Sequence, residues 1–83
     1  MTYLPNIISA HYVSGYTIRI IFDDGTQKSV DFYQWFRGPV FEPLKDPKNF
    51  QKFFIEAGTI AWPIGVDIAP EAIYQAEDVQ KAA

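Results

Sequence analysis

Between Tyr16 and Phe22 the chain reads Tyr-Thr-Ile-Arg-Ile-Ile-Phe, and an Asp-Asp-Gly stop follows at 23–25. β-Branched and aromatic residues at period-2 spacing put Tyr16, Ile18, Ile20 and Phe22 on one face of a strand. Such a strand must pair, and the stop decides how. A two-residue turn at Asp24 and Gly25 would set Ile20 against Ser29 and Arg19 against Val30, mixing polar and apolar side chains. A three-residue loop over 23–25 sets Phe22 against Thr26, Ile18 against Val30 and Tyr16 against Phe32. It also gives Gly25 the left-handed position of a type I turn with a bulge. Register follows the hydrophobic pattern, so the spacing predicts the three-residue loop.

The same rule applied to Val13, Ser14 and Gly15 predicts Tyr12 opposite Tyr16, Ala10 opposite Ile18 and Ile8 opposite Ile20. The core face of the resulting three-stranded meander is then Ile8, Ala10, Tyr12, Tyr16, Ile18, Ile20, Phe22, Val30 and Phe32. The other face carries Ser9, His11, Thr17, Arg19, Ser29 and Asp31, flanked by Ile7 and Ile21. In this register His11, Thr17 and Asp31 form one row, and Ser9, Arg19 and Ser29 the next. One apolar and one polar face suit an antiparallel sheet covered on one side.

Residues 33–45 hold the breakers Gly38, Pro39 and Pro43 together with Trp35, Phe36, Val40, Phe41 and Leu44. They read as an irregular apolar loop packed over the core. Asp46-Pro47 reads as a helix cap followed by proline at the first helical position, and Phe50, Phe53 and Phe54 share a helical face. A short helix is therefore predicted over 47–53, running into a strand through Phe54 and Ile55. Gly58 marks a turn, Thr59 to Trp62 a strand stopped by Pro63, and Pro70 the start of a last helix with Ile73 and Tyr74 as core contacts. Asp67 lies near that start and is a candidate cap. Residues 76–83 turn polar and are expected to fray. The whole chain, 1–83, reads as a single α+β domain: an antiparallel β-meander of three strands, a short helix, two further short strands and a short C-terminal helix.

Composition narrows the function. The chain has 83 residues, no cysteine and one histidine. That excludes thiol catalysis, a disulfide scaffold and a thiolate or multi-histidine metal centre within one chain. No metal and no cofactor is expected. A net charge of −3 argues against direct contact with nucleic acid. No apolar run is long enough to cross a membrane, and the first residues lack a secretory leader, so the expected location is cytoplasmic. So small a domain buries only about 60% of its unfolded surface. Its fourteen aromatic rings must therefore carry much of the core.

Four constellations hold residue types that can carry chemistry. His11 with Asp31 has the makings of an acid–base pair, but Thr17 separates them by two strand spacings, about 9–10 Å. The carboxylates Asp23 and Asp24 suit a turn, and Asp67 and Glu71 suit a helix start. Metal binding at Asp67 and Glu71 would need further oxygen ligands, and Asp23-Asp24-Gly25 does not continue into a calcium-loop pattern. Lys45, Lys48 and Lys52, with Arg37 ahead of them, fall at helical spacing as a solvated face would. The segment Trp62-Pro63-Ile64-Gly65-Val66-Asp67-Ile68-Ala69-Pro70-Glu71 is dense in residues with backbone roles, and reads as a rigid corner between strand and helix.

That corner also carries a resemblance. Trp62-Pro63-x-Gly65-x-Asp67-Ile68-x-Pro70-Glu71-x-x-Tyr74, preceded by Phe22-x-Asp24-Gly25 and Gly38-Pro39-Val40-Phe41-x-x-Leu44, resembles a family of small bacterial proteins, the domain of unknown function 2442. The resemblance spans residues 5–76, and Ile64 stands where polar residues are common in the family. It implies an α+β fold and carries no catalytic residues over. It also implies two contexts: longer proteins that add a helix-turn-helix domain, and gene pairs arranged like toxin–antitoxin modules.

Three functional readings follow. The first is a non-enzymatic protein-interaction or regulatory module, one half of a toxin–antitoxin-like pair, with a protein partner encoded nearby. Its candidate surface is Trp35, Phe36, Arg37, Phe41, Trp62, Asp67, Glu71 and Tyr74. The second is a small-molecule sensor with a pocket under the aromatic loop. The third is a minor enzyme using His11 with Arg19 or Asp31. An uncovered edge strand also leaves a homodimer open.

Overall fold

Alternating apolar residues form the strands, and glycines set most of their turns. The computed structural model describes residues 4–80. Strands β1 (Ile7–Ser14), β2 (Thr17–Phe22) and β3 (Gln27–Asp31) make an antiparallel meander in that order. Between β2 and β3 the register is the expected one, with Ile18 opposite Val30 and Thr17 opposite Asp31. Gly25 takes φ 90° at the bulge.

The first hairpin differs. Tyr12 faces Ile18, Ala10 faces Ile20 and His11 faces Arg19, two residues away from the expected pairing. β1 runs on to Ser14, and the turn tightens to Gly15 and Tyr16, with Gly15 at φ 51°. A shift of two keeps every side chain on its expected face, because strand periodicity is two. Further back a bulge does change faces. Ile7 pairs with Phe22 and Ser9 with Ile21, so Ile8 has no partner position. Ile7 is buried, and Ile8, expected in the core, is 58% exposed.

Residues 32–45 are more regular than expected, forming 3₁₀ helices over Phe32–Trp35 and Pro39–Lys45. Asp31 caps the first, its Oδ1 accepting from Tyr33 N at 3.0 Å. Helix α1 spans Pro47–Phe50, with Asp46 Oδ1 accepting from Lys48 N as expected. It stops three residues short of the predicted end. Phe54 leaves the helical face to pair with Ala61 in a second antiparallel sheet: β4 (Phe54–Glu56), β5 (Thr59–Trp62) and β6 (Val66–Ile68). β6 is an addition to the expected elements. Its hairpin follows the rule read at 23–25: Pro63, Ile64 and Gly65 form the loop, Trp62 faces Val66, and Gly65 takes φ 92°. Helix α2 spans Pro70–Gln75. Its N-cap is Ala69, without a side-chain bond, so Asp67 is no cap and lies in β6 opposite Ala61.

The core lies between the sheets and the 3₁₀ segments. Phe22, Phe32, Phe50, Ile18, Ile20, Ile60 and Ile73 are fully buried, with Trp62 at its centre. The Trp62 ring lies 6.0 Å from Phe32, 5.9 Å from Phe50 and 6.3 Å from Phe36. Its indole Nε1 donates to Phe50 O at 2.9 Å, which leaves the one polar atom of this buried ring satisfied.

Residues 76–80, expected to fray, are held against β3. Val79 N donates to Ser29 O, Ser29 N donates to Asp78 Oδ1, and Ser29 Oγ donates to Gln80 Oε1. The outer edge of β3 is thereby covered at Ser29, which is fully buried although it lies on the polar face. Residues 81–83 of the expected tail lie outside the described residues.

Candidate functional site

The polar sheet face holds the residue types of acid–base chemistry, and the shifted register rearranges them. The row across the sheet is His11, Arg19, Ser29, and Asp31 faces Thr17 in the next row. His11 is exposed, and its Nε2 lies 3.1 Å from Ser9 Oγ. Arg19 reaches the other way, donating to Ser29 Oγ at 3.4 Å and to Gln27 Oε1 at 3.3 Å. Asp31 is occupied with the cap of the 3₁₀ helix, and its main-chain oxygen accepts from Gln34 Nε2. The structure therefore brings His11 beside Arg19 and keeps it away from Asp31. Among the described residues no three histidine, aspartate or glutamate side chains converge as metal ligands.

The aromatic candidates divide by burial. Phe36 and Trp62 are core residues, 4% and 1% exposed, and present no surface. Trp35 and Phe41 are half-buried, with Trp35 edge-on to Phe32 and Phe41 stacked on Phe36 at 5.7 Å. Arg37, Asp67 and Glu71 are exposed. The loop lies directly on the rings beneath it: Phe36 is 5.8 Å from Tyr16 and 5.9 Å from Phe50.

Tyr74 has a defined task. Its hydroxyl donates to Asp24 Oδ2 at 2.6 Å, and its ring packs edge-on against Phe22 at 4.8 Å. Lys28 Nζ lies over the same ring and donates to the carbonyls of Tyr74 and Ala76, at the C-terminal end of α2. There a cation meets the negative end of the helix dipole. Together these bonds clasp α2 onto the turn between β2 and β3. The Tyr74 hydroxyl, then the Thr26 amide, hold the Asp24 carboxyl below its ordinary pKa of 3.8. The Ser29 and Gln80 amides do the same for Asp78.

Two surface features escaped the sequence reading. One is apolar. β1 and β4 lie side by side, tied at one end by Ile7 N donating to Gly58 O at 2.8 Å. Along them Ile8, Tyr12, Phe54 and Ile55 are each exposed by more than a third. The bulge that turns Ile8 outward has no composition signal in its neighbours. The other feature is an open depression of about 580 Å³, lined by Ser14, Gly15, Tyr16, Thr17, Asp31 and Tyr33.

A model of the family described as "Protein of unknown function (DUF2442)" matches residues 7–78. The chain belongs to the DUF2442 family. The match runs from the first residue of β1 into the segment that covers β3, so it takes in both sheets, the clasp at Tyr74 and the Trp62 corner. No curated protein and no solved structure matches this DUF2442 chain. No helix among its described residues is long and apolar enough to cross a membrane.

Proposed function

We propose that this DUF2442 protein is a non-enzymatic protein-interaction module, acting as the regulatory half of a two-component bacterial pair in the cytoplasm. The observation that carries the reading is the exposure of four large apolar side chains on the neighbouring strands β1 and β4: Ile8, Tyr12, Phe54 and Ile55. A domain this small has every energetic reason to bury such side chains, and their exposure on two adjoining strands is what a partner's contact would use. The polar groups support the same reading. His11 sits on an open sheet face with Ser9 and Arg19, and Asp31 is engaged elsewhere.

The test is affinity capture from the native bacterium, using the wild-type protein and an Ile8→Ser, Phe54→Ser double variant shown to fold by circular dichroism. A single stoichiometric partner, held by the wild type and lost by the variant, is the expected result. A partner held equally by both would move the contact surface elsewhere. A repeated blank with the wild type would overturn the reading.

A further inference from the structure

We propose that the depression beside the β1–β2 turn takes the guanidinium of an arginine side chain presented by a protein partner. The proposal rests on the interaction-module reading and names the chemistry of the partner.

Three properties of the depression select this group. First, Asp31 is the sole carboxylate among its six lining residues, and none of the six is basic. Its Oδ1 is pinned by Tyr33 N at 3.0 Å, and its Oδ2 accepts no hydrogen bond among the described residues. The carboxylate is held in place with one oxygen open to an incoming donor, and a charge-assisted bond is the strongest kind available there. Second, the rings of Tyr16 and Tyr33 stand 5.1 Å apart at 45°, and Tyr33 is 48% exposed. Exposed tyrosine beside a carboxylate suits a planar cation that stacks and forks, which is guanidinium rather than ammonium. Third, Ser14 and Thr17 line the same depression, and hydroxyl side chains are acceptors suited to the remaining guanidinium N–H groups.

One cation already lies nearby. Lys45 Nζ is 5.9 Å from the centre of the Tyr33 ring, and it is paired with Glu42 at 3.2 Å, so its charge is compensated locally. The chain's net charge of −3 favours approach of a basic partner.

The experiment is an amide-resolved NMR titration with N-acetyl-argininamide at low ionic strength, on the wild type and on Asp31→Asn. Asparagine keeps an oxygen to cap Tyr33 N, so the fold survives while the charge goes. Saturable shifts at Thr17, Asp31 and Tyr33 are expected, weaker by about tenfold in Asp31→Asn, as loss of one charge-assisted bond implies. The citrulline analogue should produce none. Absence of saturable shifts, or equal binding by Asp31→Asn, overturns the proposal. So does free arginine binding about tenfold tighter than the blocked form, which would mark a metabolite site. Capture experiments separate the two readings. A partner held equally by Asp31→Asn overturns this site and leaves the interaction module standing. No partner, with blocked arginine still bound, overturns the module and with it the partner as the arginine's source, leaving only guanidinium binding at the depression.

Discussion

The turn at 23–25 and the turn at 15–16 look alike on paper, each with a glycine in the third place of a candidate three-residue loop, and they fold differently. In the first, Asp24 Oδ1 accepts from Thr26 N at 2.9 Å and Asp24 Oδ2 from Tyr74 OH. The loop is closed by a local side-chain bond and fastened to α2 by a distant one. In the second, Ser14 forms no such bond among the described residues. The strand runs on through it to a two-residue turn, and Tyr12 OH donates to Gly15 O across the end. A glycine at the third position permits the three-residue loop, and an aspartate before it selects that loop.

The turn at 63–65 also keeps the three-residue form without an aspartate, and there the fastening is the core itself. Trp62, the residue that enters the turn, is fixed by three aromatic neighbours and by its bond to Phe50 O. If an anchor outside the loop is what selects its form, Trp62→Ala should cost more than any substitution within a turn. Removing a fully buried large ring costs about 3–5 kcal/mol, with the bond to Phe50 O lost as well. Urea denaturation would measure it. A loss below about 1 kcal/mol would break the comparison, since the corner would then stand without its anchor.

The β4–β5 turn offers a sharper contrast. Like the turn at 15–16 it has two residues, Ala57 and Gly58, at φ 51° and 77°. A Cβ on Gly58 would fall 1.8 Å from Asn6 Oδ1, so Gly58→Ala meets both left-handed strain and the Asn6 side chain. A loss of about 1–2 kcal/mol is expected from the strain alone. Ala57 already carries such strain, and Ala57→Gly should raise stability by about 0.5–1 kcal/mol, the relief of left-handed alanine less the added freedom of the unfolded chain. Loss of stability in Ala57→Gly would show that the methyl does something at this turn beyond being tolerated.

Much of the fold is legible in the residues alone. Period-2 spacing with Asp24-Gly25 sets the second hairpin to the residue, and Asp46-Pro47 and Pro70 mark both helix starts. β6 is legible in principle, because Gly65 repeats the signal read at Gly25. Two things are not. The bulge at Ile8 depends on Ile7 fitting the core opposite Phe22, a packing choice between two identical residues. The burial of Ser29 depends on Asp78 and Gln80, some fifty positions away. The candidate site is less legible than the fold for the same reason. Aromatic content points to Phe36 and Trp62 as surface, whereas so small an interior needs its largest rings inside. Residue type pairs Asp31 with His11, and the structure sets it instead beside Tyr33 in a depression that strand spacing does not reveal.

The smallest expected effect concerns the fastening of the 23–25 turn, and it is read from pH. Both Asp24 and Asp78 titrate below their ordinary 3.8 because hydrogen bonds favour the charged form. A carboxylate whose folded pKa is depressed contributes stability that is present above the unfolded value and lost as pH falls through the folded one. The clasp should therefore be at full strength near neutrality and weaken below about pH 4. Tyr74→Phe keeps the ring against Phe22 and removes the hydroxyl, the first of the groups holding Asp24 down. At about pH 7 this variant should melt below the wild type, and the gap should narrow as pH falls below about 4, because protonated Asp24 accepts from the hydroxyl more weakly than the carboxylate does. A gap that stays constant down to about pH 2 would show that the hydroxyl acts through something other than the Asp24 charge. The turn at 15–16 supplies the control: Ser14→Ala, with no carboxylate to titrate, should leave the acid side of the stability curve unchanged.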